Sequence, residues 1–538
     1  MIKTLKNIKV PREKGFIFVN PELSQWYSIL AENKVVNDTI LKRSQYCNEL
    51  INIAKVYTQN LLGLIAPDIS RQNIISTGHQ PIWHHCGIWS KDVVAHKFAQ
   101  SVDGIGLHLV LDHDICDTSM VLPVKRYDES WSFKKIEIEP DDTNKDVSLE
   151  FRPIPKKEYI STFLKKVSDE KNNHICNDIW FDNILCINEN IFSLITIADF
   201  ITYLQAIINS ALKLDNLYLP VSRLCSSNAF KSFALSIIDD AENFALYYNQ
   251  GINLLCHKNG HSRRNNVKCL EVNKDSNLIE LPFWLVSEAG QRSSLWIKSK
   301  PGYIEIGTKD KVLGNIDSSS WDNKIAQLQE LLDGNNFKLR PKAITLTLFV
   351  RLFLADIFIH GIGAKSYEPV TDYILENYCK KRLLKYGIVT STMNLPLQNE
   401  NNCLRNSMSL LKNKKHELKY NPEKYIDKST LDTEPVASLL KVKKQKIAQS
   451  QDQLLPADIR KSAWRSISQI NLELCSYTED TVEKLESLIS YSKKEITTNK
   501  VIGYREFFFG LFPEEELCGL INSFNRRNYD WYENIRAH

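Results

Sequence analysis

The sequence predicts an α/β protein: a parallel-sheet core, an inserted lobe and a C-terminal arm of long helices. Three observations predict it. A strand, a glycine loop, a helix and a second strand follow one another from Asn73 to Asp112, a βαβ unit whose crossover makes the strands parallel. Residues 125 to 190 then turn polar, with turns such as Glu139-Pro140-Asp141-Asp142. From about Asn402 to Lys494 strand signals vanish, while apolar residues recur at helical spacing.

These textures divide the chain into five parts. N-terminal helices and the first βαβ unit take 1–124, and an inserted, variable lobe with helices takes 125–280. The remainder of the core, with a glycine loop, takes 281–400. A helical arm takes 401–500, and residues 501–538 dock back on the core through Phe507-Phe508-Phe509-Gly510-Leu511-Phe512-Pro513.

Each element has a local reason. Trp26, Ile29, Leu30 and Val35, then Ile40, Leu41, Leu50, Ile53 and Ala54, recur at helical spacing through 23–65. Asn73-Ile74-Ile75-Ser76-Thr77 reads as a short strand that Gly78 breaks. Residues 84 to 100 read as a helix, and Gly106 to Asp112 as a second buried strand. Residues 192 to 250 return to helical spacing. Leu278 to Leu285 and Ser294 to Ile306 carry the aromatic and β-branched residues that suit strands. Ala343 to Ile359 is the longest apolar run. Arg351 and Asp356 interrupt it, so it reads as a buried helix rather than a membrane span. His360-Gly361-Ile362-Gly363 ends it, and another helix runs from Tyr367 to about Lys381. In the arm, Leu404, Met408 and Leu411, then Ala437, Leu440 and Ile447, predict long helices, with basic residues in excess between 402 and 448. That excess is a solvated face or a phosphate-binding one.

Composition excludes several classes. A net charge of +4 on 538 residues gives no concentrated basic face for nucleic acid. The opening MIKTLKNIKVPREKGFIF puts charges where a secretory signal needs an apolar stretch. Twelve cysteines without a single CxxC form neither a disulfide framework nor a zinc ribbon. The expected setting is cytoplasmic, without a membrane or nucleic-acid partner.

The residues able to carry chemistry gather at strand ends. Thr77-Gly78-His79-Gln80 follows the first strand, where free amides and a helix N-terminus favour anions; a plain tight turn is the other reading. Asp112-His113-Asp114, with Asp117, follows the second strand, so His79 and His113 are expected to converge on one rim. Acids around an imidazole raise its pKa and orient it as a general base, or they join it around a divalent metal. A helix N-cap with solvated acids is the structural alternative. His84-His85-Cys86 would lend one ligand at most to a zinc site, because adjacent helical side chains diverge. His360-Gly361-Ile362-Gly363-Ala364-Lys365 reads as a glycine loop between two helices, able to wrap a phosphate or an amino acid with Lys365 supplying charge. Cys256-His257 with His261 and Cys269 matches zinc spacing only loosely. No P-loop, GxSxG, HExxH or full GxGxxG is present.

The run ISTGHQPIWHHCGIWSKDVVAHKFAQ, followed by LHLVLDHDICDTSMVLPV, resembles the opening unit of the bacillithiol-biosynthesis cysteine-adding enzyme family. That family has a strand ending in Thr-Gly-x-Gln, then a helix, then a strand ending in an acid-His-Asp motif. Here these fall on Thr77, Gly78 and Gln80, and on Asp112, His113 and Asp114. FFFGLFPEEEL at 507–517 resembles its closing segment, and the helical stretch 402–494 its coiled coil. LPFWL, RPKAITLTLFVRLFLADIFIHGIGAKSYEPVTD and LKYNPEKY are closer to an uncharacterised bacterial group allied to it. The middle, about 125–340, does not match. HGIGAK stands where the family has Gly-Gly-Pro-Gly-Glu.

The resemblance implies a Rossmann-like core, a coiled-coil-like arm that could form a homodimer, and condensation of cysteine with an amino-sugar conjugate. On that basis the expected activity is a ligase joining cysteine or another amino acid to a small amine. His79, His113, Asp112 and Asp114 are the expected catalytic residues. Thr77, Gly78, Gln80, His360, Gly361, Gly363 and Lys365 are the expected substrate or anion contacts. The sequence assigns no cofactor: a nucleotide, ADP or ATP, is a candidate, zinc is a weaker one, and no metal ligands are assigned. The alternatives are a metal-dependent hydrolase using His79, His113 and Asp114, and a non-catalytic nucleotide-binding module.

Overall fold

The computed structural model describes residues 15–63, 73–138, 146–175, 194–259, 268–273, 275–317, 320–397 and 407–524. Six strands form the main sheet, in the spatial order Phe16–Asn20, Gly387–Thr392, Ile357–His360, Asn73–His79, Gly104–Val110 and Leu217–Pro220. The last five are mutually parallel. Phe16–Asn20 closes one edge antiparallel.

In chain order the parallel strands therefore lie 5-4-1-2-3. The chain builds outward from Asn73–His79 in one direction, then returns to lay Ile357–His360 and Gly387–Thr392 on its other side. Both faces are covered. Ile75, Ile357, Ile359 and Val389 pack on Trp26, Ile29 and Leu30 of the helix Trp26–Asn37 and on Val94 and Phe98 of the helix Cys86–Ser101. Ile74, Leu107, Leu109, Leu217 and Leu219 join the opposite core with helices Arg43–Leu62, Asn228–Asp239, Ala343–Phe353 and Glu368–Asn377. Burial on both faces is why these strands read as apolar runs rather than alternating ones.

Four details differ from the sequence reading. The first strand runs through Gly78 to His79, because Gly78 pairs with Leu109; a Cβ there would stand 2.9 Å from the Leu109 Cβ. The apolar run 343–359 is two elements, a helix ending at Phe353 and the strand Ile357–His360. Asp356 marks the join: its carboxylate takes the Ile74 amide at 2.8 Å and the Arg43 guanidinium at 2.8 Å. The glycine loop therefore follows a strand, not a helix. Leu217–Pro220, hidden in a stretch of helical spacing, is the outermost parallel strand.

A second, antiparallel sheet is inserted between Leu217–Pro220 and Ile357–His360, in the order Val312–Asp317, Tyr303–Gly307, Arg292–Lys300, Leu278–Ser287 and Phe337–Pro341. The chain divides into two compact units, one of 1–122, 135–396 and 505–538, the other of 123–134 and 397–504. In the second unit residues 123–134 belong to a two-stranded sheet, Met120–Lys125 with Trp131–Ile136, and the other described elements are helices. Within it Glu434–Gln451 and Ala457–Cys475 pack together over Val436, Ile470 and Leu474. Among the described residues no helix is long and apolar enough to cross a membrane.

Candidate active site

Three of the predicted motifs stand at the carboxyl ends of three consecutive parallel strands. Thr77–Gln80 ends the central one, Asp112–Asp114 follows its neighbour on one side, and His360–Lys365 follows its neighbour on the other. The central pair is the switch point of the sheet. The chain leaving Asn73–His79 enters the helix Cys86–Ser101 on one face, and the chain leaving Ile357–His360 enters Glu368–Asn377 on the other. Thr77 Oγ1 donates across this seam to Ile359 O at 2.9 Å. Beyond the seam, a Cβ added at Gly361 or Gly363 would meet nothing within 4 Å.

Half-buried His79 turns toward His84, their rings edge to face at 5.0 Å. His84 in turn lies 5.6 Å from His108, and its Nε2 donates to Gln80 O at 2.9 Å. His108 Nδ1 donates to Asp92 Oδ1 at 2.6 Å, both side chains being buried. Beneath the strand end, the buried Lys91 donates from Nζ to Gly78 O at 2.7 Å. Burial, reinforced by the Lys91 charge and by His84, holds His79 well below the ordinary histidine range. Burial and His108 push His84 down to about 3. His79 and His84 are uncharged at neutral pH. His85 diverges from them: its Nδ1 accepts the Gly87 amide at 3.0 Å and caps the helix.

The acid cluster is split between different partners. Asp112 accepts the Ser222 amide on Oδ1 at 2.9 Å and the Ser222 hydroxyl on Oδ2. Burial and the nearby Glu150 charge raise its carboxyl to about 7 against those bonds. Asp114 accepts Gln80 Nε2 at 2.9 Å and Arg292 Nη1 at 2.8 Å, and stays below the ordinary carboxylate range because these bonds, with the His113 and Arg292 charges, outweigh its burial. Asp117 is exposed and pairs with Lys135 at 2.9 Å. His113 is buried, and its Nδ1 has no hydrogen-bond partner. Contrary to the expectation of a raised pKa, burial pushes it down to about 4, outweighing Asp114 and Glu150. Glu150 is itself spoken for, held by Arg340 through Nη2 to Oε2 at 2.6 Å and Nε to Oε1 at 2.9 Å.

His79 and His113 thus belong to two neighbouring groups, and their segments are joined by the Gln80–Asp114 side-chain bond and by the Leu111 amide donating to His79 O at 3.0 Å. His360 points away from the rim. Its ring is buried among Phe358, Tyr367 and Tyr386. Its Nε2 lies 3.4 Å from Glu368 Oε1 without hydrogen-bond geometry. Glu368 and Asp372, on the helix after the glycine loop, clasp Arg351 at 2.7 and 2.8 Å. The Lys365 side chain and His261 lie outside the described residues.

Sequence reasoning passed over Lys91, Asp92, His108, Ser222 and Arg292. The first three carried a signal: a Lys-Asp pair inside the apolar helix CGIWSKDVVAHKFA, and a histidine inside the apolar strand GIGLHLV. Polar groups that an all-apolar element must bury need partners. Ser222 and Arg292 carried none, since only long-range folding brings them to the rim. Among the described residues no three His, Cys, Asp or Glu side chains are placed to hold a metal ion. No protein-family model and no curated protein matches the chain.

Proposed function

We propose that this chain is an enzyme with a Rossmann-like core, joining an amino acid, cysteine first among candidates, to the amine of a small amino-sugar-like conjugate. The observation that carries the reading is the arrangement of three chemistry-bearing segments on adjacent strand ends at a switch point, where open α/β sheets bind their ligands. The parallel strand order 3-2-1-4-5, read from the opposite edge, is that of the doubly wound nucleotide-binding fold. The short motifs shared with the cysteine-adding family supply the choice of substrate.

In this reading His79 and Gln80 contact the amino acid's carboxyl group, and Gln80 is oriented by Asp114. The amine nitrogen bonds to the acyl carbon. One carboxyl oxygen departs, as phosphate where a nucleotide has activated the acid, or as water with the two protons that the ammonium form of the amine gives up. The amine proton passes to His113, which is neutral beforehand and has an unoccupied Nδ1. Asp114 and Glu150 then stabilise the imidazolium. The Gly361–Gly363 loop gives the ligand backbone amides at the far wall.

The test is mass-spectrometric detection of an amide from L-cysteine and a glucosamine conjugate, with and without ATP. His113→Ala is expected to lower the rate by roughly 10² to 10⁴. Turnover unchanged in that variant removes the assignment of the base. ATP binding by calorimetry with no product from any amine points instead to a non-catalytic nucleotide module.

A further inference from the structure

Lys91 is 3% exposed in the sixth position of the helix Cys86–Ser101. Lysine is almost never buried this deeply without an anionic partner, because desolvation of the ammonium must be offset. Among the described residues its one hydrogen bond is to the carbonyl of Gly78. The adjacent carboxylate, Asp92, is engaged by His108 at 2.6 Å and acts on Lys91 through its charge alone, without fully offsetting the burial. Among the described residues Lys91 forms no ion pair.

The charge is also well placed. Gly78 is one residue from the end of the central strand, and the Lys91 charge bears on His79 of that strand, His360 of the next, and His84 and His85 of the intervening loop. All four imidazoles are held neutral chiefly by burial, so none offsets Lys91 or competes with it. Gly361 and Gly363 leave open space on the facing loop. The positive end of a 16-residue helix opens at the same rim.

We infer that Lys91 is the counter-charge for an oxyanion, the phosphate or carboxylate group of a substrate, held where the strands Asn73–His79 and Ile357–His360 part. The inference rests on the switch point being the ligand site, and not on the chemistry proposed for it. It places the cation below the Thr77–Gln80 loop, at a residue outside both the Thr-Gly-x-Gln and the acid-His-Asp motif. Burial also lowers Lys91 to about 8, so the anion is held less tightly as pH rises past that point.

The experiment titrates sulfate and acetate, which keep their charge from pH 6.5 to 9.5, into the full-length protein by calorimetry. Sulfate stands for a phosphate and acetate for a carboxylate, and the tighter binder identifies the class. Lys91→Gln keeps a donor for the Gly78 carbonyl and removes the charge; its expected effect is about 10- to 100-fold weaker binding, with Lys91→Arg restoring most of it. Equal affinity in folded Lys91→Gln, or no binding of either ion to the unaltered protein, overturns the inference. Should Lys91→Gln not fold, the unaltered protein decides: affinity falling from pH 7 to 9 supports the assignment, and a flat profile overturns it. Anion binding at Lys91 without amide formation would sink the ligase reading alone, whereas full turnover by Lys91→Gln with unchanged anion affinity would sink only this inference.

Discussion

Gln80 Nε2 donates to Asp114 Oδ2 at 2.9 Å, tying the loop after one parallel strand to the loop after its neighbour. The other Asp114 oxygen accepts Arg292 from the antiparallel sheet at 2.8 Å. One carboxylate thus fixes three segments that are far apart in the chain.

Asp114→Ala removes the acceptor of both side chains. Asp114 is 31% and Arg292 20% exposed, so solvent screens part of the loss, and the expected destabilisation is about 1–2 kcal/mol. Urea unfolding measures it. A variant as stable as the parent would show that the carboxylate does not organise this rim.

Glycine substitutions separate packing from ligand contact. Gly78→Ala places a Cβ 2.9 Å from Leu109 Cβ and 3.0 Å from Leu109 O, against a neighbouring strand that cannot retreat. A loss of about 1–3 kcal/mol follows. Gly361→Ala and Gly363→Ala meet nothing within 4 Å, so their melting temperatures should stay at the parent value while sulfate or acetate affinity drops. Unfolding of either loop variant would assign those glycines to structure.

His113 makes stability depend on pH in a known direction. Its folded-state pKa of about 4 lies below the unfolded value of 6.5, so its contribution is complete above pH 6.5 and is lost as pH falls toward 4. Each pH unit in that window removes about 1.4 kcal/mol. The acids raised by burial, Asp112 and Glu368, act oppositely, so the comparison must be differential. Between pH 7 and 5 the parent should lose about 2 kcal/mol relative to His113→Asn. Parallel stability curves for the two proteins would mean that the ring is not buried neutral.

The Glu150–Arg340 pair, with both side chains 7% exposed, tests how the antiparallel sheet is joined to the turn Leu149–Phe151, whose Glu150 amide donates to Asp112 O at 2.8 Å. Glu150→Gln strands a buried guanidinium and should cost about 3–5 kcal/mol. The double change Glu150→Leu with Arg340→Met removes both charges and should recover most of that. A harmless Glu150→Gln would contradict the burial of the pair.

Local sequence made the first βαβ unit legible. Ile74 and Ile75, a glycine loop, an apolar helix and GIGLHLV are contiguous, and right-handed crossover settles their pairing with no further information. It failed at Leu217–Pro220 and Ile357–His360, each four residues long. A strand so short carries no period of its own and takes on the helical spacing of its flanks. It also mistook Gly78 for a chain breaker, because the steric demand comes from Leu109 on another strand.

The sequence by itself determined which residues could do chemistry at the ends of the first two strands, since those positions follow from local order along the chain. Only the tertiary structure decided their partners. It gave Asp112 to Ser222, Asp114 to Gln80 and Arg292, and Glu150 to Arg340, and it set Lys91 under Gly78. Burial then reversed the expected shift at His113. Hydrogen bonds and desolvation act through space at a few ångströms, and the groups that supply them here come from segments whose separation along the chain leaves no periodic trace.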